Sequence, residues 1–234
     1  MAWSGRGRPD GGAAALKRRL ARITELLEAA YGEPRRVRQD DLVGSLVSTV
    51  LSQNTTDTNS ARAYASLRER FATWGDVARA GRRSIESAIR SGGLARTKAA
   101  RIKAMLRSIE AARGAIDLEF LRELPTADVL DYLRSFDGVG AKTASCVALF
   151  GIGRDVMPVD THVHRVVGRL GVVGRPRGPE ETFAALEGVV PKGKSLSLHV
   201  NLIRLGRTVC RPREPRCREC PLRRVCRHAR AEAG

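Results

Sequence analysis

Apolar residues recur along this chain three and four positions apart, the spacing that gathers them on one face of a helix. Leu16, Leu20, Ile23, Leu26 and Leu27 form the first stripe, which Gly32 and Pro34 stop. Leu42, Leu46, Val47, Val50 and Leu51 form a second, and Tyr64, Leu67 and Phe71 a third. A short stripe at Ile85, Ala88 and Ile89 is followed by Ile102, Met105, Leu106 and Ile109, closing at Gly114. Thr126, after Pro125, is placed to cap a helix that carries Val129, Leu130 and Leu133. Val147 with Phe150, Val163 with Val166, Val167 and Leu170, Phe183 with Leu186 and Val190, and Leu196 to Leu205 complete the pattern. No alternating runs joined by hairpin turns break it. The prediction is an all-α fold of about ten short helices.

Composition narrows the partner. A chain of 234 residues with 42% apolar content can bury a large core in one or two domains. Its 42 Lys and Arg against 25 Asp and Glu leave a net charge of +17. That excess points to a polyanion, most simply nucleic acid, with a membrane surface as the competing reading. No run of 18 apolar residues exists to span a bilayer. Residues 1–12 carry Arg6, Arg8 and four glycines without an apolar segment, so they read as a flexible basic tail and not as a secretory signal. The clustered thiols described next suit a reducing cytoplasm.

Cys210, Cys217, Cys220 and Cys226 fall within 17 residues as C-x6-C-x2-C-x5-C. Four thiolates so close can surround one metal centre. Structural zinc sites usually pair two short C-x-x-C units across a longer loop. One short pair flanked by single cysteines suits an iron–sulfur cluster better, with zinc second and a disulfide pair third. Ten arginines against Glu214 and Glu219 lie between Arg204 and Arg230. The cysteines therefore sit in the most basic stretch, where a metal centre can shape a phosphate-facing loop. Cys146 reads as a buried apolar thiol.

Between two helical stripes lies Phe136-Asp137-Gly138-Val139-Gly140-Ala141-Lys142-Thr143-Ala144. Two glycines two apart permit a tight turn and leave its amides open towards a phosphate, with Val139 anchoring the turn. Neither the spacing nor a preceding strand fits an NTP-binding loop. Lys142 falls in the first turn of the next helix, where a cation opposes the helix dipole. It is either a phosphate contact or a nucleophilic amine. Eighteen residues on, Asp160 opens Val159-Asp160-Thr161-His162. Asp160 suits an N-cap, and a capping carboxylate can also stabilise a developing cation or handle a proton. His162 reads as a local hydrogen-bonding residue and His164 as packing or surface, with His199 and His228 weaker candidates.

Taken together, the G-V-G-x-K-T-A turn, the V-D-T-H segment and the cysteine spacing resemble the endonuclease III family, helix–hairpin–helix DNA glycosylases with a [4Fe–4S] cluster. The resemblance runs from about Ala13 to Cys226. It implies that Lys142 attacks C1′ of the damaged nucleotide to form a Schiff base, assisted by Asp160. Oxidised pyrimidines would be released and the strand nicked by β-elimination. Gly138, Val139 and Gly140 would contact DNA, and the four cysteines would hold a cluster that organises a basic loop without performing hydrolysis. Leu51-Ser52-Gln53-Asn54-Thr55-Thr56-Asp57 resembles the segment that plugs the gap left by a flipped base, and Leu94, after Ser91-Gly92-Gly93, resembles a second wedge. The plugging residue is usually glutamine in the family. Here that position is Asn54, with Gln53 before it, so the damage preference can differ.

The resemblance further implies two helical domains flanking a DNA-binding cleft. One is a helical barrel over 35–153 that includes the hairpin. The other joins 13–34 to 154–234 and carries the cluster. The expected partner is double-stranded DNA with a damaged pyrimidine or an abasic site, bound by a single chain in the cytoplasm and without a membrane. Relatives that act on mismatches replace the lysine, so Lys142 favours the combined glycosylase and AP lyase. The alternatives are a monofunctional mismatch glycosylase and a non-catalytic iron–sulfur protein that binds DNA or senses redox state.

Overall fold

The computed structural model describes residues 10–37, 39–174 and 178–231. Residues 1–9 of the tail expected over 1–12 lie outside that description. From Asp10 the chain is helical, so the tail expectation is corrected at its end: α1 spans Asp10–Tyr31. Ala13, Ala14 and Ala15 are strong helix formers that carry the helix back over two glycines. Regular structure among the described residues is entirely helical, with twelve α-helices, several 3-10 turns and one π-helical segment. No described helix is long and apolar enough to cross a membrane.

The chain forms two compact units. The first covers residues 37–154. It contains α2 (Leu42–Leu51), α3 (Asp57–Arg70), α4 (Trp74–Arg79), α5 (Arg82–Ala88), α6 (Ala95–Arg113), α7 (Thr126–Arg134) and α8 (Ala141–Cys146). Six of the ten residues of α2 are large and apolar, and all six, Leu42, Val43, Leu46, Val47, Val50 and Leu51, are buried. So wide an apolar face places α2 in the core of this unit, and α3, α6 and α8 pack against it. Polar residues fix its start: Asp41 accepts from the Gly44 amide at 2.7 Å and from the Trp74 indole at 2.9 Å. Thr73 and Asp76 close a reciprocal capping box on α4.

Two local expectations change. Pro125 occupies the cap position of α7, and Thr126 is its first helical residue with no side-chain cap. Proline has its φ already set for that entry, and no N–H is lost there. The stripe at Val147 and Phe150 does not continue the α-period. Val147–Ile152 winds as a π-helix, and Phe150 is left at the surface. Gly153 and Arg154 both donate to the Ala148 carbonyl, at 2.9 and 2.8 Å, closing that wider turn.

Among the described residues, the second unit joins 10–36 to 155–174 and 178–231. Beside α1 it contains α9 (Thr161–Leu170), α10 (Pro179–Leu186), α11 (Ser195–Thr208) and α12 (Arg227–Ala231). α11 packs on both α1 and α9. Leu20, Ile23 and Leu27 meet Val163, Val166, Leu198, Leu202 and Leu205 in its core. The end of α1 is pinned by Lys194, whose ammonium pairs with Glu28 at 3.1 Å and Glu33 at 2.9 Å. The cysteine loop follows α11 and ends at α12.

Candidate active site and cysteine loop

The glycine hairpin joins α7 to α8. Gly138 has φ +76°, a conformation that side chains resist, and a Cβ there would come within 2.6 Å of the Arg101 guanidinium. Arg101 lies across the turn and pairs with Asp137 at 3.3 Å. Val139 is 5% exposed, and its amide donates to the Phe136 carbonyl at 3.1 Å. Gly140 is exposed at the mouth of α8. Lys142, the second residue of α8, is half-buried. No hydrogen bond or ion pair ties its amine among the described residues. Thr143 and Ala144, next to it, are buried and root the helix.

The loop after α2 reaches this hairpin through a side chain. The Gln53 amide nitrogen donates to the Gly138 carbonyl at 2.9 Å and to the Thr143 hydroxyl at 3.0 Å. Gln53 thus faces the protein, whereas Asn54 is exposed with φ +51°. Leu94 is 58% exposed with φ +50° and follows Gly93. Left-handed backbone costs a residue with a side chain about 1–2 kcal/mol. Asn54 and Leu94 hold it with only Glu214 for company among the described residues.

Asp160 is the N-cap of α9, and its Oδ1 accepts from the Val163 amide at 2.7 Å. Its other oxygen has no hydrogen bond among the described residues. The strap leading to it is fixed from α11 and the turn before it. Asp155 accepts from the Gly193 and Ser195 amides at 2.5 and 3.2 Å. Partial burial works to raise the Asp155 pKa, but the hydrogen bonds from Ser195 and Gly193 outweigh it and hold the carboxyl below its usual range. The buried His199 ring meets the Pro158 carbonyl at 3.0 Å. Gly206 lets α11 approach closely, since a Cβ there would lie 3.0 Å from that of His162. His162 meets the Arg165 guanidinium at 3.1 Å, and His164 meets the Thr182 hydroxyl at 2.7 Å.

The four cysteines of the loop are free thiols, so no disulfide joins them, and Cys146 is a buried free thiol on α8. Cys226 is buried, and the other three are half-buried. Burial pushes the Cys220 thiol up, and the neighbouring Cys210 and Cys226 push the same way. Among the described residues no three Cys, His, Asp or Glu side chains converge on a single ion. Arginines frame the loop. From α9, Arg165 donates to the Cys210 carbonyl at 3.1 Å and Arg169 to the Cys210 sulfur at 3.4 Å. The Cys226 thiol faces the Arg169 carbonyl at 3.6 Å. Arg19 of α1 bonds the carbonyls of Leu170, Gly171 and Val225. The donor set is four sulfurs with cationic support, which fits an all-thiolate iron–sulfur cluster.

Sequence reasoning did not single out Arg19, Arg165, Arg169, Asp155 or Lys98. Arg165 and Arg169 stand one helical turn apart on the helix that Asp160 opens, a weak signal available in the sequence. The others act through partners far away in the chain.

Residues 47–192 match the family of HhH-GPD superfamily base excision DNA repair proteins. The chain is 36% identical over 193 residues to endonuclease III of Thermotoga maritima, covering 82% of this chain and 86% of that one. It is 41% identical over 169 residues to a candidate DNA glycosylase of Arabidopsis thaliana, covering 72% of this chain but only 58% of the plant protein. Among solved structures, a trapped covalent intermediate of an endonuclease III with DNA matches with a TM-score of 0.78 at 27% identity, over 93% of this chain and 99% of that one. The hairpin, the lysine, the capping aspartate and the cysteine loop thus stand in a chain that belongs to the HhH-GPD superfamily of base excision DNA repair proteins.

Proposed function

We propose that this chain is a bifunctional DNA glycosylase and AP lyase that removes oxidised pyrimidines from double-stranded DNA. The observation that carries the reading is Lys142: a half-buried amine at the start of α8, unpaired among the described residues, beside a glycine hairpin. An amine committed to a structural ion pair could not serve as a nucleophile, and this one has no such commitment. Similarity to an endonuclease III trapped covalently on DNA supports the same reading.

Lys142, as the neutral amine, attacks C1′ while the glycosidic bond breaks. The base leaves with that electron pair and takes a proton. The bound nitrogen loses its proton, the C1′–O4′ bond opens, O4′ is protonated, and a C=N bond forms. Removal of a C2′ proton then expels the 3′ phosphate and cuts the strand. Water finally releases the lysine. Asp160 offsets the positive charge that develops on the sugar. The hairpin of Gly138, Val139 and Gly140 receives a DNA phosphate where Gly140 is exposed at the mouth of α8, while Asn54 and Leu94 enter the duplex where the nucleotide is flipped out. Gln53 holds the hairpin against the Asn54 loop.

Cys210, Cys217, Cys220 and Cys226 would hold a [4Fe–4S] cluster. When bound, it supplies a rigid all-thiolate anchor for the arginine-rich loop. Purified protein is expected to be brown, with broad visible absorption and about four iron and four sulfide per chain. A colourless protein containing zinc would overturn that assignment.

The function is tested with duplexes that each carry one lesion, scored separately for base release and for strand nicking. Release and nicking together on oxidised pyrimidines are expected. Release from a mismatch without nicking would make the chain monofunctional. Binding without release from any duplex would make it a non-catalytic DNA-binding protein.

A further inference from the structure

Lys98 is only 2% exposed, and no carboxylate among the described residues pairs with it. It sits in the first turn of α6. Its ammonium donates to two main-chain carbonyls, Leu51 at 2.7 Å and Gly92 at 2.9 Å. Burial without a counter-charge is unfavourable to a cation, and it lowers the pKa of this one. A methionine or leucine would fill the same space, so the retained charge calls for a reason.

The two carbonyls supply it. Leu51 ends α2 and Gly92 ends the 3-10 turn Arg90–Gly92. Carbonyls at helix ends lack partners and carry the negative end of the dipole, so a cation suits both. Three residues beyond Leu51 stands Asn54, and two beyond Gly92 stands Leu94, the exposed residues with left-handed backbone. Gly92 lies tight in this joint: a Cβ there would meet that of Ala63 at 3.0 Å and the Leu51 carbonyl at 3.9 Å. One ammonium therefore ties together the roots of both exposed tips. Gln53, between Leu51 and Asn54, extends the tie to the hairpin.

We propose that Lys98 is a positioning residue that clamps the Asn54 and Leu94 loops into one preformed wedge, so that the two enter the duplex together. The inference rests on the reading of Asn54 and Leu94 as DNA-inserting residues. A preformed wedge loses no ordering entropy on entry, and its benefit falls on the step that unstacks the nucleotide.

The experiment compares two substrates under single turnover: thymine glycol in a fully paired duplex, and the same lesion in a bulge where it is already unstacked. Lys98→Met keeps the length of the side chain and deletes its donors. It is expected to slow base release from the paired duplex roughly tenfold or more, and from the bulge less than about threefold. Leu94→Ala should show the same selectivity, and adding it to Lys98→Met should cost little more. Lys98→Gln, which retains a donor, is expected to fall between, and it decides the question if the methionine variant does not fold. Equal loss on both substrates would reduce Lys98 to a structural helix cap and overturn the proposal, as would no loss on either. If Leu94→Ala is selective and both Lys98 variants are not, the clamp fails while the wedge stands. If Leu94→Ala is itself unselective, the wedge reading fails, and the clamp with it.

Discussion

Lys142→Gln is expected to abolish borohydride trapping of the protein on damaged duplex and to lower strand nicking by roughly 10³-fold or more. An amide nitrogen cannot add to C1′ and carry on to an imine, so the loss is chemical. The structure keeps other effects small. Lys142 has no hydrogen bond or ion pair among the described residues to lose, and α8 is rooted by the buried Thr143, Ala144 and Ser145. Glutamine and lysine have similar helix propensity. The melting temperature should therefore stay within a few degrees, and damaged duplex should still bind. Full trapping by the glutamine variant would place the nucleophile elsewhere.

Asp160→Asn separates two jobs held by one side chain. Asparagine caps helices about as well as aspartate. Its amide oxygen can keep the bond that Asp160 Oδ1 accepts from the Val163 amide at 2.7 Å. The charge alone is removed. Turnover on an oxidised pyrimidine is expected to drop about 10²- to 10⁴-fold, with melting and DNA affinity close to those of the parent. Asp160→Ala should add a loss of about 1 kcal/mol of stability, because the cap goes too. Unchanged turnover in the asparagine variant, measured beside unchanged melting, would leave Asp160 a cap and nothing more.

What could be read from the chain alone follows from how local each signal is. The stripes Leu42–Leu51 and Val163–Leu170 became α2 and α9 because a 3.6-residue period buries one face whatever lies opposite. Gly138 marked the hairpin because its φ of +76° favours glycine, whereas Gly140 has an ordinary φ of −85° and open space where a Cβ would stand. Thr126 was misplaced by one position because Pro125 and Thr126 compete for the same helix entry. The π-helical turn at Val147–Ile152 left no mark in the periodicity. Lys98 was invisible for another reason. A lysine in α6 looks like a solvated face until Leu51, 47 residues away, is seen to accept from it. Gln53 stands in the segment that resembles a gap-plugging loop, and the sequence does not show that its amide nitrogen also meets Gly138 and Thr143, partners 85 and 90 positions away.

The arginines around the cysteine loop bear on how tightly this chain holds DNA in salt. Arg19, Arg165 and Arg169 aim their guanidinium groups at main-chain carbonyls inside their own unit. Arg122 and Arg154 do the same in the other. A guanidinium held in this way keeps its charge and its long-range field but has fewer N–H groups left to close on a phosphate. Only direct phosphate neutralisation displaces condensed ions from DNA, and that displacement sets how steeply affinity falls as salt rises. These five of the 42 Lys and Arg should therefore add more to the field that draws the chain to DNA than to the counterions released on binding.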